Sequence, residues 1–431
     1  MQFKYGLNDR PPLFAMILLG LQWCAVSVPF IIIIGKIAGG FHFTDPGAQT
    51  VYLQKMFFIM GISLLGQIWW GHRLPLVTGP SSILLIGVTA SRGFDLQTIY
   101  TAAMLGGLLL TLSGMTGFFG TLKKLFTPRI VAVVLLLLAF VLSPLSLKLI
   151  TAPHPGTTAL VNLCYALIMT LCLFLAYRYL TGIWKSTLII WAMILGSMAY
   201  FMLFPGSMNM PMAGRGVFLS GFFSQLMTTL SFDAGVMTAF LICFLALSVN
   251  ELGSIQSMNE LLKPPDMSQR ITRGITITGL GNLASGFLGV VGPVSYSLSF
   301  GVVSSTGCTA RITLIPAALI MLLLSFSPAV SGFIGNVPPV VIGSILLYIL
   351  CSQIAGGLMV VFESADEFQY ISGLIVGLPL LLGTVIAYLP PEIVNSFPGI
   401  LRPILGNGFV VGILAALLLE HIIFKDVPAN R

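Results

Sequence analysis

Residues Val290–Gly307, VVGPVSYSLSFGVVSSTG, decide how this chain is read. They lie among apolar runs yet carry Gly292-Pro293, Tyr296 and five serines, which no simple membrane helix requires. A related stretch, LVTGPSSILLIG, occupies Leu76–Gly87. The two Gly-Pro pairs, Gly79-Pro80 and Gly292-Pro293, stand 213 positions apart in a chain of 431 residues, close to half its length. A backbone that leaves helical geometry in hydrocarbon strands its N–H and C=O groups, so such breaks survive only inside protein or beside a polar cavity. Two breaks at matching points of two halves are the pattern of an inverted-repeat transporter, with its site where the broken segments meet. Each pair is followed by hydroxyl residues, Ser81 and Ser82 in one stretch and Ser295, Ser297 and Ser299 in the other. A half-helix beginning at each break would offer free amides and partial positive charge to a substrate oxygen.

Composition agrees with a membrane setting. The chain is 57% hydrophobic and 8% charged, with mean hydropathy +1.01, whereas a soluble domain carries about 25% charged residues. Apolar runs of bilayer length are expected at 13–35, 51–70, 75–91, 98–121, 130–150, 158–180, 186–206, 234–257, 271–291, 293–307, 312–334, 338–361, 371–390 and 403–424. That is an all-α polytopic chain of fourteen segments, the third and tenth short and interrupted. The alternation of a membrane β-barrel is absent. The first apolar run follows YGLNDRPP and lacks a small-residue cleavage site, so it is not read as a signal peptide. Seven spans per half is odd, so the second half enters from the opposite side and the repeat is inverted.

The net charge of +7 does not imply nucleic acid, because its distribution follows the membrane. With both termini placed in the cytoplasm, fourteen Lys and Arg fall inside, while Lys36, Lys55, Arg92, Lys148, Arg215 and Arg402 fall outside. This is the positive-inside bias of an even number of spans. The six cysteines lie in or beside apolar runs without zinc-ligand spacing, and the four histidines are scattered. No metal, cofactor or Ser/His/Asp arrangement is expected. Residues 214–230 read as an interfacial helix, and no regulatory tail is expected after the last span.

A second outlier is Ala246–Leu262, ALSVNELGSIQSMNELL, where Asn250 and Glu251 arrive before the apolar run has ended. Twelve of the thirteen carboxylates can be placed in loops or near span ends, which leaves Glu251 as the intramembrane candidate. Such a group faces a bundle interior or cavity; the alternative places it in water at the helix end. On a helix Asn250, Gly253, Ser254 and Ser257 share one face, and Glu251 points about 100° away. A carboxylate here suits proton coupling, loaded on one side and released on the other. Its ionised form can also accept hydrogen bonds from substrate N–H groups. Gln22, in LLGLQWCAVSVP, is a further polar group able to donate and accept; a helix–helix hydrogen bond is the alternative.

These residues resemble the nucleobase–ascorbate transporter family of uracil and xanthine permeases, end to end. YGLNDRPPLFAMILLGLQW is similar to that family's first span, where Gln-His stands at the positions of Gln22 and Trp23. ASGFLGVVGPVSYSLSFGVVSSTGCTAR, Ala284–Arg311, is similar to its tenth-span signature, closed here by Thr306, Ala310 and Arg311. The C-terminal LRPILGNGFVVGILAALLLE also looks like a member.

The resemblance implies fourteen spans in two inverted repeats of seven. Core domains would be residues 1–125 and 233–335, gate domains 126–232 and 336–431, with spans 3 and 10 broken by short strands. It implies a permease, not an enzyme, for a purine or pyrimidine base of the uracil, xanthine or urate class. The coupling ion would be a proton, or alternatively sodium. The protein would be a multi-pass plasma-membrane protein, in bacteria of the inner membrane, and a homodimer through the gate spans. CSQIAGGLMV, Cys351–Val360, supplies small residues for close helix approach there.

Two departures touch the ligands. Leu298 and Ser299 stand where members place Glu or Gln followed by Asn. Counting back from Gly253, the usual eighth-span Glu position is Asn250, with Glu251 one place late. The expected site is therefore Gln22, Ser81, Ser82, Asn250, Glu251, Ser254, Tyr296, Ser297, Leu298 and Ser299, with Glu251 as proton carrier. An anion transporter of the same architecture is the alternative, although no basic residue lies near either break.

Overall fold

A computed structural model describes residues 3–117, 127–152, 156–205, 223, 226–334, 336–363, 370–398 and 401–424. The chain opens with α1 (Leu13–His42), α2 (Pro46–Trp69), strand β1 (Thr78–Pro80), α3 (Ser82–Ala90) and α4 (Leu96–Thr116). It continues with α5 (Pro128–Ile150), α6 (Ala159–Tyr179), α7 (Gly182–Ser186) and α8 (Leu188–Leu203). The second half has α9 (Ala234–Leu262), α10 (Met267–Leu288), strand β2 (Pro293–Ser295) and α11 (Ser299–Thr306). A 3₁₀ turn at Arg311–Thr313 leads into α12 (Leu314–Phe326) and α13 (Pro328–Ile334). The chain then forms α14 (Pro339–Glu363), α15 (Tyr370–Ala387), α16 (Pro391–Ser396), α17 (Arg402–Leu405) and α18 (Gly408–Leu418).

Eight helices among the described residues, α1, α2, α4, α5, α6, α9, α14 and α15, are long and apolar enough to cross a bilayer. Three shorter ones, α8, α12 and α18, are equally apolar. Polar side chains set many of the starts. Asp45, Ser81, Asp95, Thr127, Thr158, Asp233 and Asn407 each accept a hydrogen bond from a first-turn N–H of the helix they precede, each worth about 1 kcal/mol. Gly117 and Gly289 end α4 and α10 in the left-handed conformation, with φ of 72° and 69°.

Helices α1–α4 pack mainly with α9–α12, while α5 and α6 pack mainly with α14, α15 and α18, and α8 lies against both α1 and α14. The most extensive pair is α4 with α10. Small residues make that approach possible: a Cβ on Gly107 would press on the backbone of Asn282 and Leu283, and one on Gly279 on Thr111.

Three segments depart from the hydropathy reading. α1 runs past residue 35 to His42, so Lys36 lies inside the helix, as Lys55 does inside α2. The run 312–334 is broken at Ser327, which is extended (φ −103°, ψ 96°), because Pro328 disfavours helical geometry in the residue before it. The run 403–424 is broken at Gly406 and Asn407, where the Asn407 side chain starts α18 afresh by accepting from Phe409 and Val410 N–H. Most of the expected interfacial helix at 214–230 lies outside the described residues.

Candidate functional site

The two Gly-Pro breaks meet. β1 and β2 pair antiparallel, with Thr78 opposite Ser295, Gly79 opposite Val294 and Pro80 opposite Pro293. Beyond the strands, Ser81 N–H donates to Gly292 C=O (2.9 Å) and Tyr296 N–H donates to Val77 C=O (2.9 Å). Each break thus satisfies the other's backbone, as a non-helical stretch at membrane depth must. The prolines stand opposite each other at the end of the ladder, where their missing N–H groups cost nothing. The Tyr296 hydroxyl donates to Pro80 C=O (2.8 Å), and its ring lies 4.9 Å from that of Phe30. That ring covers Gly79 so closely that any Cβ there would overlap it. Gly292 is equally confined, against Asn282 and Ser285 of α10.

Helix α9 grips β2 through Ser295. Glu251 is fully buried; one carboxylate oxygen accepts from Ser295 N–H (2.7 Å) and the other from the Ser295 hydroxyl (2.7 Å). The Thr278 hydroxyl lies beside the same carboxylate. Ser254 Oγ donates to Ser295 C=O (2.8 Å), so all three polar groups of Ser295 are held by one helix. From the other side His72 Nε2 lies 3.4 Å from Ser295 Oγ. Its Nδ1 accepts from Leu74 N–H (3.0 Å), so the ring proton belongs on Nε2 and points at the serine. Burial, helped by the nearby Arg270 guanidinium, pushes the His72 imidazole down to about 3, so it is neutral. Gln67 completes the chain: its Oε1 accepts from His72 N–H, and its Nε2 donates to Gly274 C=O and to Thr278 Oγ1.

A second set of residues faces open space. Asn250 is half-buried, and among the described residues its amide has no hydrogen-bond partner. Gly253 and Gly301 are exposed, with nothing within 4 Å of where a Cβ would be. Ser297 is exposed, and Leu298 and Phe300 are 50% and 38% exposed. The N–H groups of Ser297 and Leu298 before α11, and of Ser82 and Ile83 at the start of α3, have no acceptor among the described residues. Each break therefore ends in a pair of unclaimed donors at a helix start.

The ten sequence-derived residues divide accordingly. Ser297 and Leu298 are exposed, and Asn250, Tyr296 and Ser82 are half-buried. Glu251, Ser254, Ser81 and Ser299 are buried structural partners; Ser81 caps α3, and Ser299 Oγ accepts from Val77 N–H (2.9 Å). Gln22 is buried on α1 with its Nε2 unpartnered among the described residues, and no hydrogen bond joins it to either strand. The sequence reading missed His72, Gln67, Thr278 and Asn282. Asn282 holds Pro293 C=O (2.9 Å) while its own Oδ1 is unpartnered among the described residues. The available signal for His72 was a lone histidine seven residues before the first break.

Comparison with known proteins gives this geometry a family. A family model described as Permease family, of the xanthine and uracil permeases, matches residues 14–392. A putative purine permease of Clostridium perfringens is 22% identical over 99% of this chain and 94% of its own length. The xanthine permease XanP of Escherichia coli is 24% identical over 97% of this chain and 94% of its own. Among solved structures, the transmembrane domain of the cyanobacterial bicarbonate transporter BicA superposes with a TM-score of 0.63 at 14% identity, covering 87% of this chain and 96% of that one. Murine Solute Carrier 26 family member A9, an anion transporter, gives 0.60 at 12% identity, covering 97% of this chain and 69% of that one. These two share the transporter fold. With the paired breaks and the match over nearly its whole length, the chain is a transporter and belongs to the permease family of the nucleobase–ascorbate transporters.

Proposed function

We propose that this protein carries an oxopurine of the xanthine–urate class across the membrane by proton symport. The observation that carries the reading is the antiparallel meeting of β1 and β2, with N–H donors at both helix starts and a half-buried Asn250 amide that have no partner among the described residues. An oxopurine presents ring carbonyls to such donors and ring N–H groups to an amide oxygen, and its flat faces suit Tyr296, Leu298 and Phe300. Relatives named as purine and xanthine permeases support that class. Glu251 is the proposed proton carrier, acting on the site through Ser295 and not as a direct ligand. An anion carrier in the manner of the fold neighbours would rest on fold alone, since both lie below 25% identity.

The proposed architecture is fourteen crossings in two inverted repeats. The eight long helices, the three shorter apolar ones, α10, and the strand-led α3 and α11 supply that number. The preferential packing of α1–α4 with α9–α12 supports a core distinct from a gate. Cytoplasmic termini rest on the Lys and Arg excess, which stands without Lys36 and Lys55, and a homodimer through the gate on the small residues of 351–360. The test is ligand-induced thermal stabilisation of the purified protein with xanthine, urate, hypoxanthine, uracil, bicarbonate and sulfate, since a ligand of the native state raises the melting temperature. The expected result is stabilisation by oxopurines alone; stabilisation by bicarbonate or sulfate alone would replace the proposal with the anion carrier.

A further inference from the structure

A second cavity, of about 520 Å³, opens at the end of the bundle where α1 ends and α4 begins. Its walls come from four elements far apart in sequence: Gly40 and His42 of α1, Thr89 of α3, Arg92 and Asp95 of the connecting loop, and Lys148 of α5. The cavity lies between the two groups of helices that pack mainly within themselves, since α1, α3 and α4 belong to one and α5 to the other.

Its charge is predominantly positive. Arg92 and Lys148 are both exposed, and neither has an ion-pair partner among the described residues. Arg402 from α17 approaches the same loop. Its guanidinium lies 6.0 Å from the Phe94 ring centroid, one terminal nitrogen would stand 3.6 Å from a Cβ on Gly93, and its Nε is buried without a partner among the described residues. Against these three cations the cavity has a single carboxylate, Asp95, and that one is occupied in capping α4, accepting from Thr98 N–H and from the Thr98 hydroxyl. His42 is engaged with the Tyr100 hydroxyl (2.9 Å).

The positive charge continues inward. Lys36 lies one turn before Gly40 on the same face of α1, half-buried and without a partner among the described residues. A helix residue also leans towards its own N-terminus, here away from the cavity mouth and deeper into the bundle. α3 runs from the β1–β2 junction at its start to Thr89 at the cavity wall, about 12 Å along its axis. At the junction the open face adds no negative charge: its side chains are Asn250, Ser297, Leu298 and Phe300, and Glu251 is turned away into its bonds with Ser295.

We propose that this cavity is an anion-capturing vestibule, and that the species it captures is the deprotonated, monoanionic form of the oxopurine cargo. The proposal rests on the permease reading above and refines it, because it chooses between the charged and the uncharged base. A cleft lined by one sign of charge raises the local concentration of the opposite sign and the capture rate by about 10- to 1,000-fold, and salt screens the effect. An uncharged base gains nothing from it.

The experiment uses the full chain in proteoliposomes, with initial rates for urate, an anion at neutral pH, and hypoxanthine, which is uncharged there. In the wild type, raising ionic strength from low to about 0.5 M should raise KM for urate several-fold and leave KM for hypoxanthine unchanged. Arg92→Gln/Lys148→Gln should raise KM for urate about tenfold with kcat retained, flatten its salt dependence, and leave hypoxanthine untouched. Both side chains are exposed, so the variant should keep its melting temperature, and the wild-type salt series tests the same idea without any substitution. Equal effects on the two bases, or no effect on urate, would overturn the vestibule while leaving the permease standing. If neither base binds or moves, the permease reading itself fails, and the vestibule with it.

Discussion

Asn250 and Glu251 are sequence neighbours in opposite circumstances. The amide is half-buried without a partner among the described residues, and the carboxylate is fully buried with both oxygens engaged by Ser295. Asn250→Ala should therefore leave thermal stability unchanged while weakening oxopurine binding about tenfold, the worth of one good hydrogen bond; a direct binding assay beside a melting curve checks it. Glu251→Gln can still accept from Ser295 N–H and donate to its hydroxyl. It should bind the base and cost about 1–2 kcal/mol of stability, yet lose accumulation driven by a pH gradient. Unchanged accumulation with the same pH dependence would reduce Glu251 to a clamp on the strand. His72 supplies a different pH signature. Because its folded value is lowered to about 3, the native state excludes a proton that the unfolded chain takes up below about 6.5. Stability from this residue is fully present above that pH and drains away as pH falls through the window from about 6.5 to 3. His72→Gln should flatten the decline in melting temperature between pH 7 and pH 5. The helical wheel was enough to set Asn250 and Glu251 on different faces. Which face was open was not legible, because that depends on β2, forty residues away.

At the scale of elements, the interrupted spans were legible and their mates were not. A Gly-Pro pair inside an apolar run announces a break, and half-length spacing announces a pair of breaks. Register and the covering ring depend on contacts between distant residues, such as Tyr296 over Gly79. Gly79→Ala should cost about 1–3 kcal/mol through overpacking and pull the strands out of register for binding. Tyr296→Leu alone loses the hydrogen bond to Pro80 and the packing on Phe30. The double variant should be more stable than the two single costs predict, by about 1 kcal/mol or more, because the shorter side chain vacates the space the new methyl needs. Simple additivity in chemical denaturation would show that the ring is not what excludes a Cβ. Hydropathy was also blind to the breaks at Ser327 and Gly406–Asn407, since a sliding average sees the same apolar composition on both sides of a kink.

Across the whole molecule, hydrophobicity displayed the membrane class and most of the long helices, while convergence of charge stayed hidden. Arg92, Lys148 and Arg402 are spread over more than three hundred residues and meet only in the folded bundle. The hydrogen bond from Ser81 N–H to Gly292 C=O reaches further still, into the order in which the chain can be made. Residues 77–81 leave the ribosome more than two hundred residues before their backbone partners in the other break exist. During synthesis the first half therefore carries an unfinished edge until β2 arrives. A chain truncated after residue 222 should be degraded rapidly in cells, while co-expression with a separate 223–431 fragment should rescue both its lifetime and transport. A first half that resists proteolysis by itself would mean that its break is closed from within. In the normal chain, the pairing that completes the proposed substrate site would also be the step that makes the nascent protein durable.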